Sequence, residues 1–113
     1  MSIVCIDSAE HFEWGDNCDG WHFVKSKNLS IVQERVPSGC SETMHYHRSA
    51  EQFFFVLNGT ATIEIEGKKI NIEANNGIHI PPGKKHQLGN QNEADLVFLV
   101  TTTPILSGDR VEV

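Results

Sequence analysis

The residues most able to do chemistry in this chain are three histidines. His45 and His47 stand in the run His45-Tyr46-His47, and His86 follows Pro81-Pro82-Gly83-Lys84-Lys85. In a β-strand, residues i and i+2 point to the same face, so His45 and His47 present two imidazoles side by side. Neutral imidazole suits zinc, copper, iron and nickel. Three such nitrogens with one further protein ligand make a metal site with room left for water or substrate. A His-x-His pair alone is equally well read as two structural histidines. It is the third imidazole, after a rigid proline turn, that points to a metal. His11, His22 and His79 read as structural. His79 alternates with Ile78 and Ile80 and is expected to face away from the core.

The elements that must position these rings are short and β-like. Leu29–Val36 alternates and is ended by Pro37-Ser38-Gly39. Thr43–His47 is a second strand, closed by a turn over Arg48–Glu51. Gln52–Leu57 is apolar on both faces, as in a strand covered on both sides. Asn58-Gly59 is a hairpin turn, and Thr60–Glu66 then alternates, with Ala61, Ile63 and Ile65 on one face. Ile70 and Ile72 continue the pattern after Gly67-Lys68. Asn75-Asn76-Gly77 turns into Ile78–Ile80, and Asp95–Thr103 is the last long strand. Short strands at regular spacing without a helical period imply an all-β sandwich or barrel. Closure into a barrel is favoured because it leaves fewer free edges. The expected organisation is one domain: an N-terminal arm over 1–28 with one or two short strands, a barrel over 29–103, and a tail over 104–113.

Composition narrows the partners. The chain has 113 residues, enough for one modest core, and a formal charge of -6. That charge disfavours nucleic acid or an anionic membrane and leaves a small molecule as the expected ligand. No apolar run is long enough to span a bilayer, and no signal peptide is evident. Cys5, Cys18 and Cys40 are odd in number and fit no zinc-knuckle spacing. They suggest a soluble cytoplasmic protein with reduced thiols.

The histidine stretch resembles the two motifs of the cupin superfamily. The first runs Gly39, five residues, His45-Tyr46-His47, four residues, Gln52, six residues, Gly59. The second runs Asn75, five residues, Pro81-Pro82-Gly83, two residues, His86, three residues, Asn90. Asn75 stands where these proteins carry Gly, a mild departure because Asn tolerates the left-handed turn. The resemblance covers roughly Val36 to Thr103. It implies a double-stranded β-helix (cupin, jelly-roll-like) barrel holding one divalent transition ion: Zn, Ni, Fe, Mn or Co. His45, His47 and His86 would be ligands. The fourth would be Gln52, which satisfies both motif spacings, in preference to Glu51. Some similar proteins that carry Gln there act on sugar acids. A neutral amide leaves the metal one negative charge short of the Glu version and so a stronger Lewis acid.

The implied function is a metal-dependent isomerase, lyase or dioxygenase acting on a sugar, sugar acid or keto acid. The alternative is a non-catalytic cupin that binds metal or a small ligand. Gln33 and Arg35 share one face of their strand and Glu34 takes the other. Arg35, with Gln33, would contact substrate if that face points inward, Arg35 clamping a carboxylate. Phe53, Phe55 and Leu57 fall opposite Gln52 and suggest a partner surface. Cupins commonly pair through such a face, so a homodimer is expected. The alternative cover is the arm, through Trp14 or Trp21. Asp109 and Arg110 read as a surface ion pair in the tail.

Overall fold

The apolar alternation of the sequence becomes strand in the computed structural model, which describes residues 2–113. The strands are β1 (Glu10–Trp14), β2 (Cys18–Lys25), β3 (Ser30–Val36), β4 (His45–His47), β5 (Glu51–Asn58), β6 (Thr60–Ile65), β7 (Lys68–Glu73), β8 (Gly77–Ile80), β9 (His86–Gly89), β10 (Leu96–Thr103) and β11 (Arg110–Glu112). There is no helix among the described residues, and so none long and apolar enough to cross a membrane. The strands form two sheets, ordered β1-β2-β3-β10-β5-β8 and β11-β4-β9-β6-β7, and every pairing is antiparallel.

The core is the set of residues the alternation turns inward. Val32 and Val36 of β3, Phe54 and Val56 of β5, and Leu96, Phe98 and Val100 of β10 come from one sheet. Ala61, Ile63, Ile72 and Leu88 come from the other. Each large apolar side chain so buried contributes about 1.5–3 kcal/mol relative to exposure. The Asn58-Gly59 turn needs its glycine twice over. Its φ is +81°, and a Cβ there would lie 2.7 Å from the Asp95 carbonyl oxygen. Asn75 adopts φ 66°, the left-handed conformation its place in the second motif requires.

Two segments take their places through pairing that no local pattern marks. The N-terminal arm, expected to hold one or two short strands, holds two. β1 and β2 form a hairpin that extends the first sheet beyond β3. It therefore lies at the opposite end of the sheet from β5 and β8 and does not cover the phenylalanine face. Phe53 remains 44% exposed and Leu57 39%. The supposed tail ends in β11, which pairs with β4 through Arg110–His47, Val111–Tyr46 and Glu112–His45. β9 is also a strand, where the sequence suggested only a turn followed by His86. Nothing local marks these two short strands; long-range pairing makes them.

Candidate metal centre

β4 and β9 are paired through His45 and His86, so their rings enter the barrel from neighbouring strands of the second sheet. His47 follows on the same face of β4. Ring centroids are 4.3 Å apart for His45–His86, 5.2 Å for His45–His47 and 6.2 Å for His47–His86. One nitrogen from each ring lies within 4.8 Å of the other two. His45 and His86 are each 1% exposed.

The hydrogen bonds of the rings fix which nitrogen faces the centre. His45 Nδ1 donates to the Thr43 carbonyl at 2.9 Å, and His86 Nδ1 to the Lys84 carbonyl at 2.8 Å. His47 Nδ1 lies 3.6 Å from Asp109 Oδ2. The Nε2 atoms of His45 and His86 are thus left with their lone pairs inward, the arrangement typical of metal-ligating histidine, and Asp109 favours the same arrangement in His47 from just beyond hydrogen-bond distance. Burial pushes the His45 imidazole down to about 3, against the pull of the Thr43 carbonyl. Burial also lowers His47 and His86, so all three rings are neutral at pH 7.

The first sheet supplies one more oxygen. β5 turns Gln52 inward and Glu51 outward, where Glu51 pairs with His79 at 2.8 Å on the surface. Gln52 Nε2 donates to Thr102 Oγ1 at 3.0 Å, which turns Oε1 toward His86 Nε2 at 3.1 Å. With His86 neutral and its Nδ1–H committed to Lys84, both facing atoms are acceptors. Two lone pairs at that distance are reconciled by a shared cation. His47 Nε2 is buried and has no hydrogen-bond partner. A buried polar atom left unpaired is costly. These groups fit a divalent transition ion in number and kind: three imidazole nitrogens and an amide oxygen.

Other residues complete the surroundings. Asp109 is not a surface residue. It is 7% exposed and accepts hydrogen bonds from the backbone N–H of Ser49, at 2.7 Å, and of Ala50, at 3.0 Å. Burial alone would raise its carboxyl, but those two bonds and nearby His47 hold it below the usual carboxylate range. It is thereby an ionised acceptor beside the outer nitrogen of His47. Its neighbour Arg110 lies 3.8 Å from Glu112 and also lines the cavity.

A cavity of about 430 Å³ opens beside His45 and Gln52, walled by Phe12, Trp14, Glu34, Glu42, Phe54 and Arg110 among others. β3 turns Glu34 into it. Arg35 and Gln33 lie on the opposite face of the strand, outside the cavity. There Arg35 is held by Asp19, Asp95 and the Asn17 carbonyl. The carboxylate clamp suggested for Arg35 is therefore not formed, because strand alternation admits only one of these faces. The signal for Glu34 lay in its flanks, Val32 and Val36, which mark the inward face. For Asp109 no sequence signal existed.

Comparison with known proteins bears on the fold and the family. An uncharacterized protein of Methanocaldococcus jannaschii is 25% identical over 89 residues, covering 79% of this chain and 71% of its own. An oxalate-binding protein of Thermotoga maritima is 28% identical over 74 residues, and the match covers 66% of this chain and 61% of that relative, less than two thirds of its length. The crystal structure of a cupin-superfamily sugar phosphate isomerase from Silicibacter pomeroyi superposes with a TM-score of 0.81 at 20% identity, covering 92% of this chain and 76% of that one. The family model described as Cupin domain matches residues 32–102, which run from the core residue Val32 through the three histidines to Thr102 behind Gln52. On that match and this fold, the chain belongs to the cupin family.

Proposed function

We propose that this protein is a metal-dependent cupin enzyme, an isomerase, lyase or dioxygenase, acting on a sugar, sugar acid or keto acid. His45, His47, Gln52 and His86 hold one divalent ion, with Zn, Ni, Fe, Mn and Co all compatible with the donors. The observation that carries the reading is the convergence itself. Three imidazoles meet at one point, His86 Nε2 and Gln52 Oε1 face each other as two acceptors, and His47 Nε2 is buried and unpaired. A bound ion there would act as a Lewis acid on a substrate carbonyl or carboxylate oxygen. Around it, Thr102 orients the Gln52 amide, Thr43 and Lys84 carbonyls fix two imidazoles, and Asp109 steadies the third. Phe54 and Trp14 wall the cavity and limit water. The names of two similar proteins, an oxalate-binding protein and a sugar phosphate isomerase, support a small oxygen-rich ligand. The first of these names also favours the second reading, ligand binding without turnover.

The test is elemental analysis of protein purified without chelator or metal-affinity tag, together with His47→Ala. Near-stoichiometric metal in the wild type and its loss in the variant are expected; equal metal in both refutes the site. A screen of sugars, sugar acids and diketones with the metal-loaded protein then separates enzyme from binder, and absence of any turnover favours the binder. We further infer a homodimer, joined through the outer face of β5. Phe53 and Phe55 stack there at 6.4 Å between centroids, and Phe53 and Leu57 remain exposed. Three cysteines, each unpaired, fit a reducing compartment such as the cytoplasm.

A further inference from the structure

We propose that Cys18 and Cys40 are a redox pair: a peroxide oxidises them to a disulfide, which ties the β1–β2 hairpin to the segment leading into β4 and fixes one wall of the cavity. The pair lies outside the histidine centre and acts with or without a bound ion.

The backbone brings the two residues together. Cys18 opens β2 and precedes the Asp19–Arg35 pair, so it stands level with Val36 at the end of β3. The chain then turns back on itself, with the Cys40 N–H donating to the Pro37 carbonyl at 3.2 Å. Both thiols reach one acceptor: Cys40 Sγ donates to the Asp16 carbonyl at 3.2 Å and Cys18 Sγ at 3.8 Å. Two thiols on a single oxygen come within bonding reach once their side chains turn toward each other. Burial pushes the Cys18 thiol up to about 11, with Cys40, Glu34 and Asp16 adding to the rise and Arg35 opposing it.

The two sulfurs differ in access. Cys18 is 0% exposed, whereas Cys40 is half-buried and lines a surface cleft with Asp16, Asp19 and Arg35. A peroxide therefore meets Cys40 first. With hydrogen peroxide, the O–O bond breaks, one oxygen passes to the Cys40 sulfur as a sulfenic acid, and the other leaves as water. The Cys18 sulfur then attacks the Cys40 sulfur. The S–O bond breaks, and hydroxide departs with the Cys18 proton as a second water. Two electrons have passed from the thiols to the peroxide. In a reducing compartment such a bond is transient, as suits a sensor.

The hairpin is the element such a bond would hold. Trp14 and Gly15 line the cavity from the hairpin, and Ser41, Glu42 and Thr43 line it from the β4 side. Gly15 sits over the Cys18 sulfur, where a Cβ would lie 3.6 Å from Sγ. The hairpin is at the edge of its sheet, held by β2–β3 pairing and by Phe12, which lies over Gly20 where a Cβ would collide with the ring. Among the described residues, the one hydrogen bond from the hairpin to the Cys40–Thr43 segment is that of the Cys40 thiol. A thiol is a weak donor, and a disulfide puts a covalent tie in its place.

Peptide mapping of the Cys5→Ser protein, which lacks the exposed third thiol, tests this. The protein is treated with hydrogen peroxide, unfolded, and alkylated. We expect a linked pair of peptides holding Cys18 and Cys40, short of two hydrogens and separated by dithiothreitol. Cys40→Ser keeps a donor for the Asp16 carbonyl and should leave Cys18 fully alkylated after the same treatment. Amide hydrogen exchange over Gly15–Cys18 should slow about ten-fold or more in the oxidised protein, and not in peroxide-treated Cys40→Ser. Cys40 oxidised to sulfinic acid with Cys18 still alkylated overturns the pair. A disulfide that forms without slowing that exchange overturns the lock on the hairpin.

Discussion

Replacing Glu34 by glutamine should make the metal-free protein more stable, by an amount that depends on pH. Burial pushes this carboxyl from an ordinary 4.5 up to about 8. Between those values the folded protein holds a proton that the unfolded chain has released. Stability from this group is therefore fully present below about pH 4.5 and is lost as pH rises to about 8. At about 1.4 kcal/mol per pH unit, the whole interval amounts to about 5 kcal/mol. Glu34 lines an open cavity where water softens the penalty, so about 2–3 kcal/mol is the realistic loss. The amide of a Glu34→Gln variant would keep the shape and lack the titration. Urea unfolding of both proteins in chelator at pH 5, 7 and 9 reads the difference directly. The two should nearly match at pH 5, and the variant should gain up to about pH 8 and level off by pH 9, with unchanged m-values. Glu42, itself pushed up to about 7 by burial, titrates in both proteins and largely cancels. A stability difference that stays flat from pH 5 to pH 9 would refute the reasoning and place Glu34 in a solvated setting.

Three further outcomes follow from the site and the surface. Gln52→Ala should lower metal affinity by about ten-fold or more in a chelator competition, while Glu51→Ala leaves it unchanged, because Glu51 faces solvent and His79; the reverse result would move the fourth ligand. Asp109→Asn should weaken metal binding by about 10–100-fold by releasing His47, with the other imidazoles still held by carbonyls; affinity within two-fold of wild type would show that Asp109 serves only the Ser49–Ala50 turn. Phe55→Glu should convert a dimer to a monomer in light scattering, and a wild type already monomeric at micromolar concentration would refute the sheet-face interface.

The sequence by itself carried the all-β class, most strand positions, and a trio of imidazoles meeting at one site. These follow from local rules. A period of two defines the faces of β3, β5, β6 and β10, and Asn58-Gly59 and Asn75 mark turns whose backbone conformation few residues tolerate. The cupin motifs extended that reading to the barrel itself. Tertiary structure decided everything that needed a choice between two faces or a partner far along the chain. Alternation says that Glu34 and Arg35 point oppositely, but only the opposing sheet decides which of them is inside. Asp109 and Arg110 resemble a surface pair in an unpatterned tail, and nothing within five residues reveals that β11 pairs with β4 and brings Asp109 to His47. Likewise the hairpin of β1 and β2 has a weak period because it forms the edge of one sheet and the wall of a cavity at once. Phe12 and Trp14 are turned inward there by register, over a glycine whose purpose is visible only from what lies above it.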